Sequence, residues 1–159
     1  MIKMTTTERE ITQILSQINT IVADEIRYAL SHLGETCVKR IKERSPQESW
    51  IDNTGNLRSS IGYAIYNHGK KELVSAFQVV GQGVDGPNAA ESYVNSLASD
   101  YAATYALVVV AGMSYAEYVE AIKGKDVLAS TRIWAFSKVD QYMELARSRA
   151  EKRINQLLS

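Results

Sequence analysis

Cysteine, histidine and proline are scarce in this chain. Its 159 residues include one cysteine, two histidines and two prolines. A single cysteine, Cys37, excludes an intramolecular disulfide, and His32 and His68 have no nearby residues at a spacing typical of a metal site. Cys37 lies among apolar positions of a helical pattern, which predicts a small buried side chain. We therefore expect no metal site and no cofactor, and no Ser/His/Asp or Cys/His arrangement is nominated.

Net charge and long apolar runs are also missing. Lysine plus arginine and aspartate plus glutamate are each 18, so charge gives no argument for nucleic acid or an anionic membrane. No segment approaches the roughly 20 apolar residues that span a bilayer. The start, MIKMTTTERE, lacks the apolar centre of a signal peptide. We expect a soluble protein made in the cytoplasm.

A helical period dominates residues 5–44. Thr7 followed by Glu10 is typical of a capping box, and Pro46 marks the end of the helix. Such a helix would be about 55 Å long, so we expect it either to break near residues 31–34 or to project from the body. One stripe carries its apolar residues: Ile11, Leu15, Ile18, Val22, Ile26, Ala29, Leu33, Cys37 and Ile41.

The middle of the chain changes to a strand pattern. Residues 60–66 and 72–80 predict a hairpin, because both are rich in β-branched and aromatic residues and NHGKK lies between them. The glycine-rich GQGVDG (81–86) lacks the spacing of a phosphate-binding loop and reads as a connection. Asn88 with Glu91 predicts a capped helix running to about Tyr101. TYALVVVAG (104–112) is apolar enough for a strand buried on both faces.

The last helix is predicted at 130–158, which completes an α+β fold. We expect one domain, 1–159, in which a small antiparallel or mixed sheet is packed by the long N-terminal and C-terminal helices. The sheet region is 57–128, with an extra helix inserted between its strands.

GMSYAEYVEAIKG (112–124) joins the last strand to the last helix. Ser114 and Glu117 have capping-box spacing, which predicts a short helix. Glu120 lies near its apolar face and has no local partner, so it needs one if it is buried. We predict a salt bridge with Arg58, whose guanidinium can form a bidentate contact with a carboxylate.

Two motifs support a family resemblance when they are read together. The first is T-G-x-L-R-x-S-I at Thr54, Gly55, Leu57, Arg58, Ser60 and Ile61. The second is Y-A-x-Y-V-E at Tyr115, Ala116, Tyr118, Val119 and Glu120. With the long helix ending at Pro46, they resemble the small neck and tail-completion proteins, or head–tail connectors, of long-tailed bacteriophages and prophages.

The chain departs from that family in three places. The family continues after the glutamate with one residue and then Gly-Thr, whereas this chain reads Glu120-Ala-Ile-Lys-Gly124. The proline–phenylalanine turn before the last helix is missing. Residues 81–103 look like an added loop and helix.

The resemblance implies a virion component without catalytic residues, such as a minor tail protein, assembled in the bacterial host cytoplasm. It implies a homo-oligomeric ring at the head–tail junction or tail end, docked to neighbouring virion proteins, with DNA in the lumen. Two alternatives stay open. One is a helical interaction module that dimerises through residues 8–44. The other is a small enzyme with a cleft beside Glu120, Arg58 and the tyrosines.

Overall fold

The computed structural model describes residues 6–159 and confirms the α+β fold class. Three strands form one antiparallel sheet, and an inserted helix separates the second strand from the third. The elements are α1 (Glu8–Lys42), α2 (Asn56–Ser59), β1 (Ile61–Asn67), β2 (Lys70–Val74), α3 (Asp85–Ser96), a 3-10 turn (Ala98–Tyr101), β3 (Tyr105–Ala111), α4 (Ala116–Ala121) and α5 (Ala129–Leu158).

Helix α1 is continuous over its 35 residues and has no break at 31–34. It begins with reciprocal hydrogen bonds. The Thr7 N–H donates to Glu10 Oε2 at 2.7 Å, and the Glu10 N–H donates to Thr7 Oγ1 at 3.3 Å. These bonds satisfy N–H groups that have no partner within the helix.

The chain divides into two compact units. The helical unit is the chain up to Ala29 together with Asp140–Ser159, and the sheet unit is Leu30–Val139. Helices α1 and α5 each contribute to both units. The expectation of a single domain stays a prediction.

Strand β1 is the centre of the sheet, in the order β2-β1-β3. Its residues from Ile61 to Tyr66 are all buried. His68 and Gly69 form the turn into β2, with φ angles of 49° and 82°, as a two-residue hairpin turn of the primed type requires.

Strand β2 ends at Val74, so its predicted extension to residue 80 is wrong. The cause is a side chain in the position of a ladder partner: Ser75 Oγ accepts the Tyr63 N–H at 2.9 Å. Further on, the Val80 N–H donates to Ser59 Oγ at 2.7 Å. The Ser75 N–H still donates to the Tyr63 carbonyl at 2.9 Å, and beyond it the segment is held by Ser59 instead of by a strand ladder.

Helix α3 begins at Asp85, three residues before the predicted cap. Asn56 Oδ1 accepts the Asp85 N–H at 3.2 Å, so the first turn receives its hydrogen-bond acceptor from the first residue of α2. Asn88 lies inside the helix, and the predicted cap by Asn88 and Glu91 is wrong.

Strand β3 packs apolar side chains on both faces, yet only Val110 is buried. One face contacts a cluster built on Ile41, Trp50, Leu57, Ile61 and Val127, and the other contacts a cluster built on Ala64, Tyr66, Val94 and Val110. The prediction of a fully buried strand fails because β3 lies at the edge of the sheet, whereas β1 occupies the centre.

Candidate interaction surfaces

The two motifs, sixty residues apart in sequence, meet in the sheet unit. Leu57 is buried, and Ala116 and Val119 pack against the cluster that contains it. Tyr115 lies beside Asp52 and Thr54; burial and then the Asp52 charge raise the pKa of its hydroxyl, against a hydrogen bond with Thr54. The two motifs therefore share one corner of the sheet unit, in which Leu57, Ala116 and Val119 are packed.

The first motif is shaped by Asp52, a residue that the sequence patterns did not single out. Its carboxylate accepts the Gly55 N–H at 2.9 Å and the Arg58 N–H at 2.9 Å. Gly55 has a φ of 85°, and a Cβ there would lie 1.9 Å from the Val80 carbonyl oxygen. Only glycine fits such a position, so this part of the motif is fixed by backbone geometry.

Arg58 does not pair with Glu120, so that prediction is wrong. Its guanidinium donates to the backbone carbonyl of Lys42, at the end of α1, and lies 4.7 Å from the centre of the Trp50 ring. A guanidinium can satisfy a carbonyl left open at a helix C-terminus and stack on an aromatic ring at the same time. Arg58 thus caps the C-terminus of α1.

Glu120 binds the backbone at the start of α5. Its Oε2 accepts the N–H groups of Val127 at 2.8 Å and Leu128 at 2.7 Å, and its Oε1 accepts that of Ala129 at 3.1 Å. A helix N-terminus favours negative charge and offers N–H groups without internal partners. The carboxylate's partner is thus a helix terminus instead of a guanidinium.

Asp126 reinforces the same terminus. It accepts the Ser130 N–H at 3.2 Å and pairs with Arg44 at 2.6 Å. Burial acts to raise the pKa of Asp126, but the hydrogen bonds from Ser130 and the Arg44 guanidinium outweigh it and hold this pKa below its usual value. The charged groups of this corner are committed to holding helix ends.

The predicted cap by Ser114 and Glu117 is wrong. Helix α4 begins at Ala116, with Tyr115 in the N-cap position and no side-chain cap hydrogen bond. Glu117 is exposed, and Tyr118 keeps 73% of its surface exposed. The other motif residues, Ser60 and Ile61, are buried where β1 begins, and Ser60 Oγ donates to the Leu57 carbonyl at 2.8 Å.

Cys37 is buried and unpaired, and burial raises the pKa of its thiol. Across residues 6–159, no group of three or more His, Cys, Asp or Glu side chains is arranged to hold a metal ion. The described helices include none with the length and apolar character needed to cross a bilayer.

The helical unit presents apolar side chains to solvent. Among its described residues, the buried ones are Glu25, Ala29, Ala146 and Ala150. Ile11 is 48% exposed, Leu15 55% and Val22 37%. Within the described part of this unit, no apolar side chain larger than alanine is buried.

Ion pairs link the two helical segments of this unit. Glu25 pairs with Arg149 at 2.8 Å and with Arg153 at 2.9 Å, and Asp24 lies 3.6 Å from Arg153. The Arg149 guanidinium also lies 4.2 Å from the centre of the Tyr28 ring. The buried carboxylate of Glu25 is thus compensated by two guanidinium groups, as a buried charge requires.

Comparison with known proteins adds no relative: no protein-family model, no curated protein and no solved structure matches this chain.

Proposed function

We propose that this chain is a structural protein without catalytic activity, which assembles into a homo-oligomeric ring at the head–tail junction or tail end of a bacteriophage. The observation that carries the self-association is the exposed apolar stripe of the helical unit. The phage assignment is supported by the two resembling motifs. Its site of action is the virion, assembled in the host cytoplasm and docked to neighbouring virion proteins.

The stripe has the spacing of an intermolecular helix contact. Ile11, Leu15, Ile18 and Val22 follow steps of four, three and four residues, as in a helix seam that packs against another helix. Large apolar side chains that stay exposed over several turns are typical of a protein-binding surface. A second copy offers the same stripe and thereby completes the missing core.

The motif corner supports a structural role in place of catalysis. Asp52, Glu120, Asp126 and Arg58 each contact backbone groups that end or begin an element. Each of these groups therefore already has a structural partner, which supports the structural role. Non-specific contact with DNA in the lumen belongs to the proposal, and the exposed Lys70 and Lys71 of β2 are its candidates.

The same stripe also fits the second candidate, a dimeric helical module. The two functions differ in stoichiometry, because a module closes at two copies whereas a ring has three or more. Light scattering after size exclusion gives the molar mass, and negative-stain electron microscopy gives the shape. Rings of more than two copies support the neck or tail assignment, a closed dimer supports the module, and a monomer at every concentration contradicts both.

A matched pair of variants links association to the stripe. Leu15→Ser removes an exposed apolar side chain from it, whereas Gln17→Ser places the same new residue on the same helix outside the stripe. We expect the molar mass to fall for Leu15→Ser and to stay unchanged for Gln17→Ser. Equal masses for the two variants would contradict the role of the stripe.

A further inference from the structure

The outer edge of β3 offers backbone groups that are not paired within the sheet. The Gly112 N–H donates to the Ser60 carbonyl at 3.1 Å, and the His68 N–H donates to the Thr104 carbonyl at 2.9 Å. Even-numbered residues of β3 therefore point their backbone groups toward β1. In an antiparallel pair the intervening residues point theirs away, which places the N–H and C=O groups of Leu107, Val109 and Ala111 on the outer side.

These outward groups have no partner among residues 6–159, since β3 is the end strand and the hydrogen bonds of the described loops and side chains do not reach them. An apolar groove of about 580 Å³ runs beside the strand. Its lining includes Tyr93, Leu97, Val127 and Leu128, and also the charged residues Glu117, Glu120 and Arg132. An exposed strand edge beside apolar walls is a surface to which another strand adds.

The opposite edge of the sheet, strand β2, carries charges that oppose strand addition, whereas β3 does not. Strand β2 carries Lys70 and Lys71, both exposed, and lysines on an edge strand oppose pairing with another sheet. Strand β3 reads YALVVVA and carries no charge. The chain therefore guards one edge against strand addition and leaves the other open.

We propose that β3 is a second self-association surface, at which the β3 strands of two copies pair antiparallel across a two-fold axis. Equivalent edges related by a two-fold axis are self-complementary, so each outward N–H of one copy can meet a C=O of the other. The absence of charge on β3 removes like-charge repulsion between the copies. This surface lies in the sheet unit and does not depend on the stripe of the helical unit.

Three outward residues make a short contact. A stable dimer buries about 800 Å² on each partner, which a short strand pair reaches only with help from the groove walls. We therefore expect pairing to increase with concentration. When the helical units already hold copies together, the high effective concentration strengthens it.

Hydrogen exchange of the full-length protein tests the pairing directly. Between dilute and concentrated samples, we expect the amides of Leu107, Val109 and Ala111 to slow by about 10-fold or more, because pairing protects them. The amides of β1 should not change with concentration. Exchange at β3 that is the same at all concentrations would overturn the proposal.

Matched proline variants separate this surface from its surroundings. Val109→Pro removes an outward N–H while leaving the β1–β3 ladder intact, a position where an edge strand tolerates proline. Val74→Pro makes the same change on the guarded edge, because the neighbouring Ser75 N–H already points to Tyr63. We expect Val109→Pro to abolish the concentration dependence at Leu107 and Ala111 and Val74→Pro to preserve it.

Val109→Thr keeps the N–H and should behave as the wild type, which controls for the loss of the valine side chain. The same exchange measurement in Leu15→Ser separates the two proposals. If the amides of β3 remain protected at high concentration in Leu15→Ser, the two association surfaces are independent. Protection that is equal in wild type and Val109→Pro overturns the β3 proposal and leaves the ring proposal untouched.

Discussion

The two units of this chain bury very different side chains. The sheet unit encloses Tyr66, Ile41, Leu57 and Ile65, each less than 2% exposed. The described part of the helical unit encloses three alanines and Glu25, while its isoleucines, leucines and valines stay exposed or half-buried. Since apolar burial is the main favourable term in folding, the sheet unit has its own core, whereas the described part of the helical unit encloses no large apolar side chain.

Replacing one leucine in each unit gives the largest expected contrast. Leu57→Ala should lower the free energy of unfolding by about 3 kcal/mol, because it leaves a cavity in a closed core. Leu15→Ala in the dilute protein should change it by less than about 0.5 kcal/mol, since that side chain is already exposed. Urea denaturation of both variants measures the difference. Similar losses would mean that the helical unit has a core of its own.

A variant of Glu120 tests how much the hydrogen bonds between this carboxylate and the N-terminus of α5 stabilise the sheet unit. Glu120→Gln keeps the shape but removes the charge and leaves fewer acceptors for three N–H groups. We expect a loss of about 2 kcal/mol in the free energy of unfolding. Glu117→Gln, on the same short helix but exposed, is the control and should stay within about 0.5 kcal/mol. Equal free energies of unfolding for the two variants would show that the contacts of Glu120 do not stabilise this corner.

Glu25 tests what the ion pairs contribute to the helical unit. Glu25→Gln removes the partner of Arg149 and Arg153, both about half exposed. We expect a loss of about 1 kcal/mol, reduced by added salt, because such pairs are partly screened. Thermal unfolding at two salt concentrations measures it. A loss that salt does not alter would argue against an electrostatic origin.

The depressed pKa of Asp126 predicts a small acid dependence of the sheet unit. A group with a folded pKa below its unfolded value of about 3.9 contributes stability that is present above that pH and lost as pH falls through the folded pKa. Stability measured from about pH 5 downward should therefore fall less steeply in Asp126→Asn than in the wild type. Identical slopes would show that Asp126 does not carry this dependence.

Sequence periodicity predicted the helices and strands better than it predicted which groups the charged side chains contact. The stripe of α1, the β-branched runs of β1 and β3, and the cap between Thr7 and Glu10 follow from local rules. The partner of Glu120 did not, because opposite charge made Arg58 equally plausible and only the folded turn brings three backbone N–H groups to the carboxylate. Composition identified β3 as a strand, but its place at the edge depends on sheet order, which is a tertiary property.

The two corrected caps share one sequence pattern. Asn88 and Ser114 both stand three residues before a glutamate, yet neither begins a helix. At α3, the distant Asn56 supplies the acceptor instead, and α4 starts at Ala116 without a side-chain cap. The spacing alone therefore does not fix the residue at which a helix begins.

Hydrogen exchange followed over a dilution series tests the difference between the units most directly. The account predicts that amides in the stripe, from Ile11 to Val22, exchange more slowly as concentration rises. It predicts that amides of β1, from Ile61 to Tyr66, exchange at a constant slow rate. Stripe amides that are equally protected at every concentration, in a protein that stays monomeric, would contradict the claim that the helical unit is completed by another copy.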